Sequence, residues 1–419
     1  MTTPAIDFLF SLERFGMKFG LANIAALCAA LGHPEAAFPS VIIAGTNGKG
    51  SVTAMVDTAV RAAGHRCARY TSPHLVRIEE RFVIDGREIE TATLEAAAQL
   101  VKRTAEDLVA KGALETLPTF FECTTAVAFV LFRDAKVDLA VLEVGLGGRL
   151  DATNIVSPIA AAIVSIDLDH EAQLGSSLAS VAAEKAGVIK PGIPVVCGPL
   201  PPEALAVIED VCATRHARLM RTDQDGRIAS RLAAIPLALH GEHQLANAAV
   251  ALQLLDVIDE DPTLRLRITA DAMRTGLSTA AWPGRLERFV VDDCTVVIDA
   301  AHNPAGARAL ATYLRQTAPE GVTLVFGAMH DKDIRGMLST LIPVARAVVC
   351  TTPPHPRAAA AEEVARIART LSSHVEAIAD PVAAVRHACR EGGTVVVAGS
   401  IFLIGPLRDR LARDILRSS

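Results

Sequence analysis

The densest chemistry in the sequence lies in seven residues, Gly45-Thr46-Asn47-Gly48-Lys49-Gly50-Ser51, which follow an apolar run at 41–44 and open a helical pattern. Glycines let backbone N–H groups approach a polyphosphate, a helix N-terminus adds partial positive charge, Lys49 adds a point charge, and Ser51 can ligate Mg²⁺. Gly50 separates Lys49 from Ser51, a departure from GxxxxGK[ST]. On the pattern alone, the stretch is a phosphate cradle or a Gly-rich strand-to-helix turn with an exposed lysine. Glu143 sits near the end of the apolar run 139–144, before Gly145-Leu146-Gly147-Gly148-Arg149. There it is either an ordinary strand-end charge or a carboxylate facing the ligand crevice and sharing the cradle's Mg²⁺. The run 160–166 leads into Asp167-Leu168-Asp169-His170, and with the two strands expected to end side by side, His170 is a candidate ligand of a second metal. Lys185, in Val181-Ala182-Ala183-Glu184-Lys185-Ala186-Gly187, reads by itself as an exposed helical lysine paired with a nearby acid. Asp299-Ala300-Ala301-His302-Asn303-Pro304 follows a further apolar strand; it offers an Asp and a His to a ligand, or an Asn-Pro turn with a helix cap.

These residues need a scaffold that ends strands at a ligand. Short apolar runs at 41–44, 139–144, 160–166 and 195–198 alternate with helical patterns at 52–64, 94–112, 124–133, 178–186 and 245–257. A second series has strands at 295–299, 322–326, 347–350 and 394–398 and helices at 305–315, 362–371, 382–390 and 407–416. Alternation of this kind predicts an α/β fold with mainly parallel sheets buried on both faces. The Pro-Gly pair in Ser278-Thr279-Ala280-Ala281-Trp282-Pro283-Gly284-Arg285 breaks the helical periodicity, placing a boundary near 280 and domains at 1–280 and 281–419.

The chain has 419 residues, enough for two or three domains, and 51% hydrophobic against 21% charged residues leaves little room for disordered tails. With 41 Lys+Arg and 47 Asp+Glu the formal charge is −6, which argues against nucleic acid as a partner and makes any phosphate site local. An anionic protein must place its positive charge at the cleft, and Lys49, Arg149 and Arg285 are expected there. Eight scattered cysteines without a CxxC pair fit small buried hydrophobes in a reducing compartment. Without a membrane-length apolar run or a signal-peptide block, the expectation is a cytoplasmic protein with no membrane partner.

Taken together, residues 45–51, 72–75, 143 with 145–154, 167–175, 184–192, 241–247, 282–285, 299–304 and 399–400 resemble the folylpolyglutamate synthase/dihydrofolate synthase family, of the bifunctional bacterial type. It is a branch of the ATP-dependent amide ligases that includes the Mur ligases. The resemblance runs in order from about residue 9 to 416, and the segment 9–31 also fits the folate branch. It implies a P-loop, Mur-ligase-like ATP-binding domain carrying the folate or pterin site, and a smaller Rossmann-like C-terminal domain. Asn47, Gly48, Lys49, Gly50 and Ser51 would bind ATP phosphates, and Asn247, Arg285 and Asp299 would contact the nucleotide, with His302 nearby. Ser51 and Glu143 would hold one Mg²⁺; Ser72, Glu143 and His170 would hold a second. Lys185 matches the lysine that CO₂ carbamylates, reversing its reading as a surface residue. Lys49, Lys185, His170 and His302 are thus the implied catalytic set, and Thr119, Phe121 and Asp151 the implied pterin neighbours. A monovalent cation is a further implied cofactor.

The implied reaction joins L-glutamate to dihydropteroate and to reduced folates through an acyl phosphate, in a monomer whose second domain closes to exclude water. Two rivals remain at this stage. A Mur-type ligase acting on UDP-muramoyl peptides normally carries an N-terminal domain for the UDP sugar, and the cradle at residue 45 is expected to leave no room for it. A non-catalytic nucleotide-binding protein is opposed by intact Lys49, Glu143, His170, Lys185 and Asp299.

Overall fold

The computed structural model describes residues 4–16, 20–291 and 293–418. Within the segment 9–31, Met17, Lys18 and Phe19 therefore lie outside the described residues. The chain divides into two compact units, Met1–Ala238 with Leu245–Ala281, and Leu239–Gln244 with Trp282–Ser419. The division thus falls after Ala281, but the short segment 239–244, which composition groups with the first domain, goes with the second unit.

In the first unit, eight strands form one sheet: β1 (Ser40–Ala44), β2 (Cys67–Tyr70), β3 (Phe82–Ile84), β4 (Arg87–Glu88), β5 (Leu139–Glu143), β6 (Ala160–Ile163), β7 (Val195–Cys197) and β8 (Leu219–Arg221). Their order is β4-β3-β2-β5-β1-β6-β7-β8. Only the β2–β3 and β3–β4 pairs are antiparallel. Every residue of β1, β5 and β6 is buried, as expected of parallel strands covered on both faces, which explains why these runs are apolar but for Ser40 at one end and Glu143 at another. β1 pairs with β5 on one side and β6 on the other; the chain runs from β1 to the β5 side and crosses to the other side at β6, a reversal that opens a crevice at the carboxyl end of β1. The expectation that Glu143 and the 167–170 segment end adjacent strands is corrected: β1 lies between β5 and β6, and β6 stops at Ile163.

A six-stranded sheet organises the second unit: β9 (Glu287–Val291), β10 (Cys294–Ile298), β11 (Val322–Phe326), β12 (Ala345–Cys350), β13 (Val375–Ala377) and β14 (Thr394–Ala398). The order is β13-β12-β11-β14-β10-β9, and only β9–β10 is antiparallel. Its core gathers Val297, Leu324, Phe326 and Val396 from the sheet with Leu310, Leu314, Met337 and Val364 from the flanking helices. Both units are α/β, with mainly parallel sheets. Strands β2–β4, β8, β9 and β13 were not expected; they are short or lie towards sheet edges, where partial exposure admits polar residues and erases the apolar run.

Candidate active site

The cradle grows out of β1. Gly48 caps the Lys49–Ala62 helix with φ +83°, a left-handed geometry that side chains disfavour. A Cβ there would also stand 2.3 Å from Asn247 Oδ1 and 2.8 Å from Val164 Cγ1, so two independent constraints require glycine. The segment after β6 clamps the loop. Thr46 N–H donates to Ser165 O at 2.8 Å, Asn47 N–H to Ser165 Oγ at 2.9 Å, and Thr46 Oγ1 to Asp167 O at 3.0 Å. Ser51 lies in the first helical turn and is 2% exposed.

Two ammonium groups meet one carbonyl. Lys49 Nζ donates to Gly45 O at 3.0 Å, and Lys185 Nζ reaches the same oxygen at 3.0 Å. Lys185 is only 3% exposed, which overturns its reading as a surface lysine. Burial, reinforced by the Lys49 charge, pulls its pKa down from 10.5 to about 7. Lys185 therefore exists near neutral pH as a mixture of ammonium and nucleophilic amine. The surplus positive charge beside helical N–H groups is the chemistry of a polyphosphate site.

Glu143 ends β5 opposite Ile43, next to the cradle's strand, and is 5% exposed. Its Oε2 accepts from Ser72 N–H at 3.2 Å, so the structure brings Glu143 and Ser72 together. His170 is placed differently: it caps a four-residue helix, is exposed, and has Nε2 3.9 Å from Asp169 Oδ1. Among the described residues, no three His, Cys, Asp or Glu side chains form a ready-made metal cluster. The donors that fit a hard divalent cation are mixed, Ser51 hydroxyl and Glu143 carboxylate beside the cradle.

Phe121 and Asp151 converge on the loop after β5, and Thr119 stands two residues before Phe121. Thr119 caps the Phe120–Ala135 helix in a reciprocal box with Glu122. A Cβ on Gly145 would come 2.7 Å from Phe121 Cζ and 3.2 Å from Asp151 Oδ2, so only glycine lets the loop lie so close. Asp151 Oδ2 accepts from Gly145 and Leu146 N–H at 3.0 Å each; Oδ1 accepts from Thr153 N–H at 3.0 Å and Thr153 Oγ1 at 2.6 Å. This carboxylate primarily ties the loop together. Arg149 is turned to Glu184, with Nη2 2.7 Å from Oε1.

Beside them stands a wall built from segments that the sequence reading marks, with one member, Arg81, that it misses. Phe10 stacks on Phe120 at 5.9 Å between centroids and meets His74 edge-on at 6.2 Å, while Arg81 lies 5.1 Å over the Phe120 ring. Arg81 Nε donates to His74 Nδ1 at 2.9 Å. Burial first, and then the Arg81 charge, lower the His74 pKa to about 3, so it stays neutral and accepting. Arg81 itself is buried, and that lowers its pKa too. Within Ile78-Glu79-Glu80-Arg81, it carried no signal distinguishing it from surface charge.

In the second unit, Asp299 follows β10 and is 5% exposed. Its Oδ2 accepts from Leu286 N–H at 3.0 Å and Oδ1 from Ala301 N–H at 2.9 Å. Burial raises its pKa, opposed by the charges of Arg285 and His243. His243 is thus a neighbour of Asp299 that no single-residue signal identified. His302 Nδ1 lies 2.8 Å from Ala300 O, so that nitrogen carries the proton. The alternative reading of this segment also holds, because Asn303 caps the Pro304–Thr317 helix by accepting from Gly306 N–H. Asn247 belongs to the first unit, beside Gly48.

A glycine-rich loop with two lysines on a parallel sheet and a second α/β unit fit a nucleotide-dependent ligase, and residues 284–401 match the family described as Mur ligase, glutamate ligase domain. The chain is 34% identical to the dihydrofolate synthase/folylpolyglutamate synthase of Bacillus subtilis over 95% of this chain and 96% of that protein. It therefore belongs to the dihydrofolate synthase/folylpolyglutamate synthase family. Its structure matches Escherichia coli FolC in complex with DHPP and ADP at TM-score 0.86 and 31% identity, covering 99% of both chains. It also matches the Yersinia pestis bifunctional folylpolyglutamate synthase/dihydrofolate synthase complexed with AMPPNP and Mn ion, at TM-score 0.85 and 33% identity, covering 98% of both chains.

Proposed function

We propose that this protein is an ATP-dependent amide ligase that joins L-glutamate to dihydropteroate and to reduced folates. The observation that carries the reading is the pair of lysines converging on Gly45 O at the carboxyl end of β1. A carboxylate oxygen of the folate substrate attacks the γ-phosphorus of ATP, the bond to the β-phosphate oxygen breaks, and ADP leaves. The amine of glutamate then attacks the acyl carbon, phosphate departs with the bonding pair, and the amine loses its proton. The protein's work is positioning and charge neutralisation. The Gly48–Ser51 backbone and Lys49 hold the phosphates, and Asn47, Asn247, Arg285 and Asp299 contact the nucleotide.

Magnesium, when bound, neutralises phosphate charge. Ser51 and Glu143 would hold one ion; Ser72 and Glu143, which hydrogen-bond to each other, would hold the second, with His170 as its further ligand. The near-neutral Lys185 supplies the free amine that CO₂ requires, and as a carbamate it becomes a carboxylate-like group beside the cradle. His302 acts from the second unit. The Phe10–His74–Phe120 wall, together with Thr119, Phe121 and Asp151, receives a flat pterin by stacking. A monovalent cation completes the cofactor set, and the enzyme works as a cytoplasmic monomer. No helix among the described residues is long and apolar enough to cross a membrane.

The test supplies ATP, Mg²⁺ and labelled glutamate with dihydropteroate or, separately, tetrahydrofolate. Label should enter both products; incorporation with neither would end the folate reading. Lys185→Ala should abolish turnover and recover part of it with a short-chain carboxylate, whereas undiminished activity would remove Lys185 from the mechanism.

A further inference from the structure

A cavity of about 520 Å³, within the usual range for small-molecule sites, lies in the first unit between β8, the Gly226–Ala233 helix and the far end of the Glu242–Glu260 helix. It is separate from the catalytic groups: its wall on the Glu242–Glu260 helix begins at Gln253, six residues and therefore about 9 Å beyond Asn247 along the axis. Four arginines line it, and three are matched internally. Arg227 pairs with Asp225 at 3.0 Å, Arg231 with Asp256 at 2.6 Å, and Arg221 with Asp223 at 2.9 Å.

Cancelling those pairs leaves one lining residue of each sign without an ion pair of its own, Glu260 still feeling the charge of Arg227. Arg218 and Glu260 both face the cavity, and among the described residues neither makes an ion pair. The third unmatched group is Gln253. Its side chain is only 6% exposed and has no hydrogen-bond partner among the described residues, yet it is not one of the sealed, orphaned atoms, so its amide opens on the cavity. Buried amides are ordinarily bonded, and one left open to a cavity is a recognition group awaiting a partner.

We propose that this cavity binds a small zwitterion of the amino-acid class. Its carboxylate meets the Arg218 guanidinium, its ammonium meets the Glu260 carboxylate, and a further polar group meets the Gln253 amide. A simple anion satisfies Arg218 but faces Glu260 unpaired, and a simple cation meets the reverse problem. Charge-assisted hydrogen bonds at both ends therefore select the zwitterion over either.

Titration calorimetry on the full chain decides this, with L-glutamine as the probe and glutarate as the dicarboxylate lacking the ammonium. L-Glutamine should bind one to one, about tenfold or more tighter than glutarate. Arg218→Ala and Glu260→Ala, both at exposed positions, should each weaken it about tenfold while leaving circular dichroism unchanged. Lys49→Ala should leave it intact. The inference is overturned by no glutamine binding at about 10 mM, by glutarate binding as tightly, or by affinity indifferent to both cavity substitutions.

Discussion

The cradle after β1 and the loop after β10 occupy equivalent places, each at the carboxyl end of a strand with neighbours on both sides, yet they treat buried charge in opposite ways. At β1, two ammonium groups compete for a single carbonyl, and burial drives one of them toward neutrality. At β10, one carboxylate receives two backbone N–H groups and has Arg285 and His243 near it. The first arrangement is unsettled until an anion arrives. The second is settled in advance, and so suits an acceptor that must hold one orientation.

The largest expected effect breaks the unsettled side. Lys49→Ala should lower kcat by a factor on the order of 10²–10³, the scale of losing one preorganised donor to developing charge, with little change in melting temperature. Next comes Gly48→Ala, which forces a side chain into left-handed backbone and onto Asn247. Stability should fall by about 1–3 kcal/mol and the KM for ATP should rise, read by denaturant unfolding and steady-state kinetics.

A pH experiment sharpens the contrast further. The folded pKa of Lys185 is about 7, against 10.5 for the ordinary side chain, so between those values the unfolded chain binds more protons and stability should rise with pH. In CO₂-free buffer the slope approaches about 1.4 kcal/mol per pH unit, and Lys185→Met should flatten it. The smallest effect is a control in the second unit: Asp380→Ala removes the cap on the Pro381–Arg390 helix and should cost about 1 kcal/mol without altering kcat.

Chemistry written in contiguous residues was legible. The cradle could be read because glycines, lysine and serine sit together, and β1, β5 and β6 because strands buried on both faces are apolar along most of their length. Chemistry assembled across the chain was not. Lys185 looked like a surface residue because its acceptor, Gly45 O, is 140 positions away in sequence. Arg81 was passed over for the same reason, since His74, Phe120 and Phe10 come from separate elements. β2 was hidden because Arg69, in its middle, is there to pair with the fully buried Asp57 of the cradle helix at 3.1 Å.

The shared Gly45 carbonyl also implies an order of loading. When Lys49 turns to phosphate, a new negative charge lies near Lys185, and its proton affinity rises. By reciprocity, a protonated Lys185 and bound nucleotide favour each other, so nucleotide disfavours the free amine. On the proposed carbamylation of Lys185, carbon dioxide should be captured more readily before ATP than after it, and nucleotide binding to the unmodified enzyme should draw a proton from the buffer.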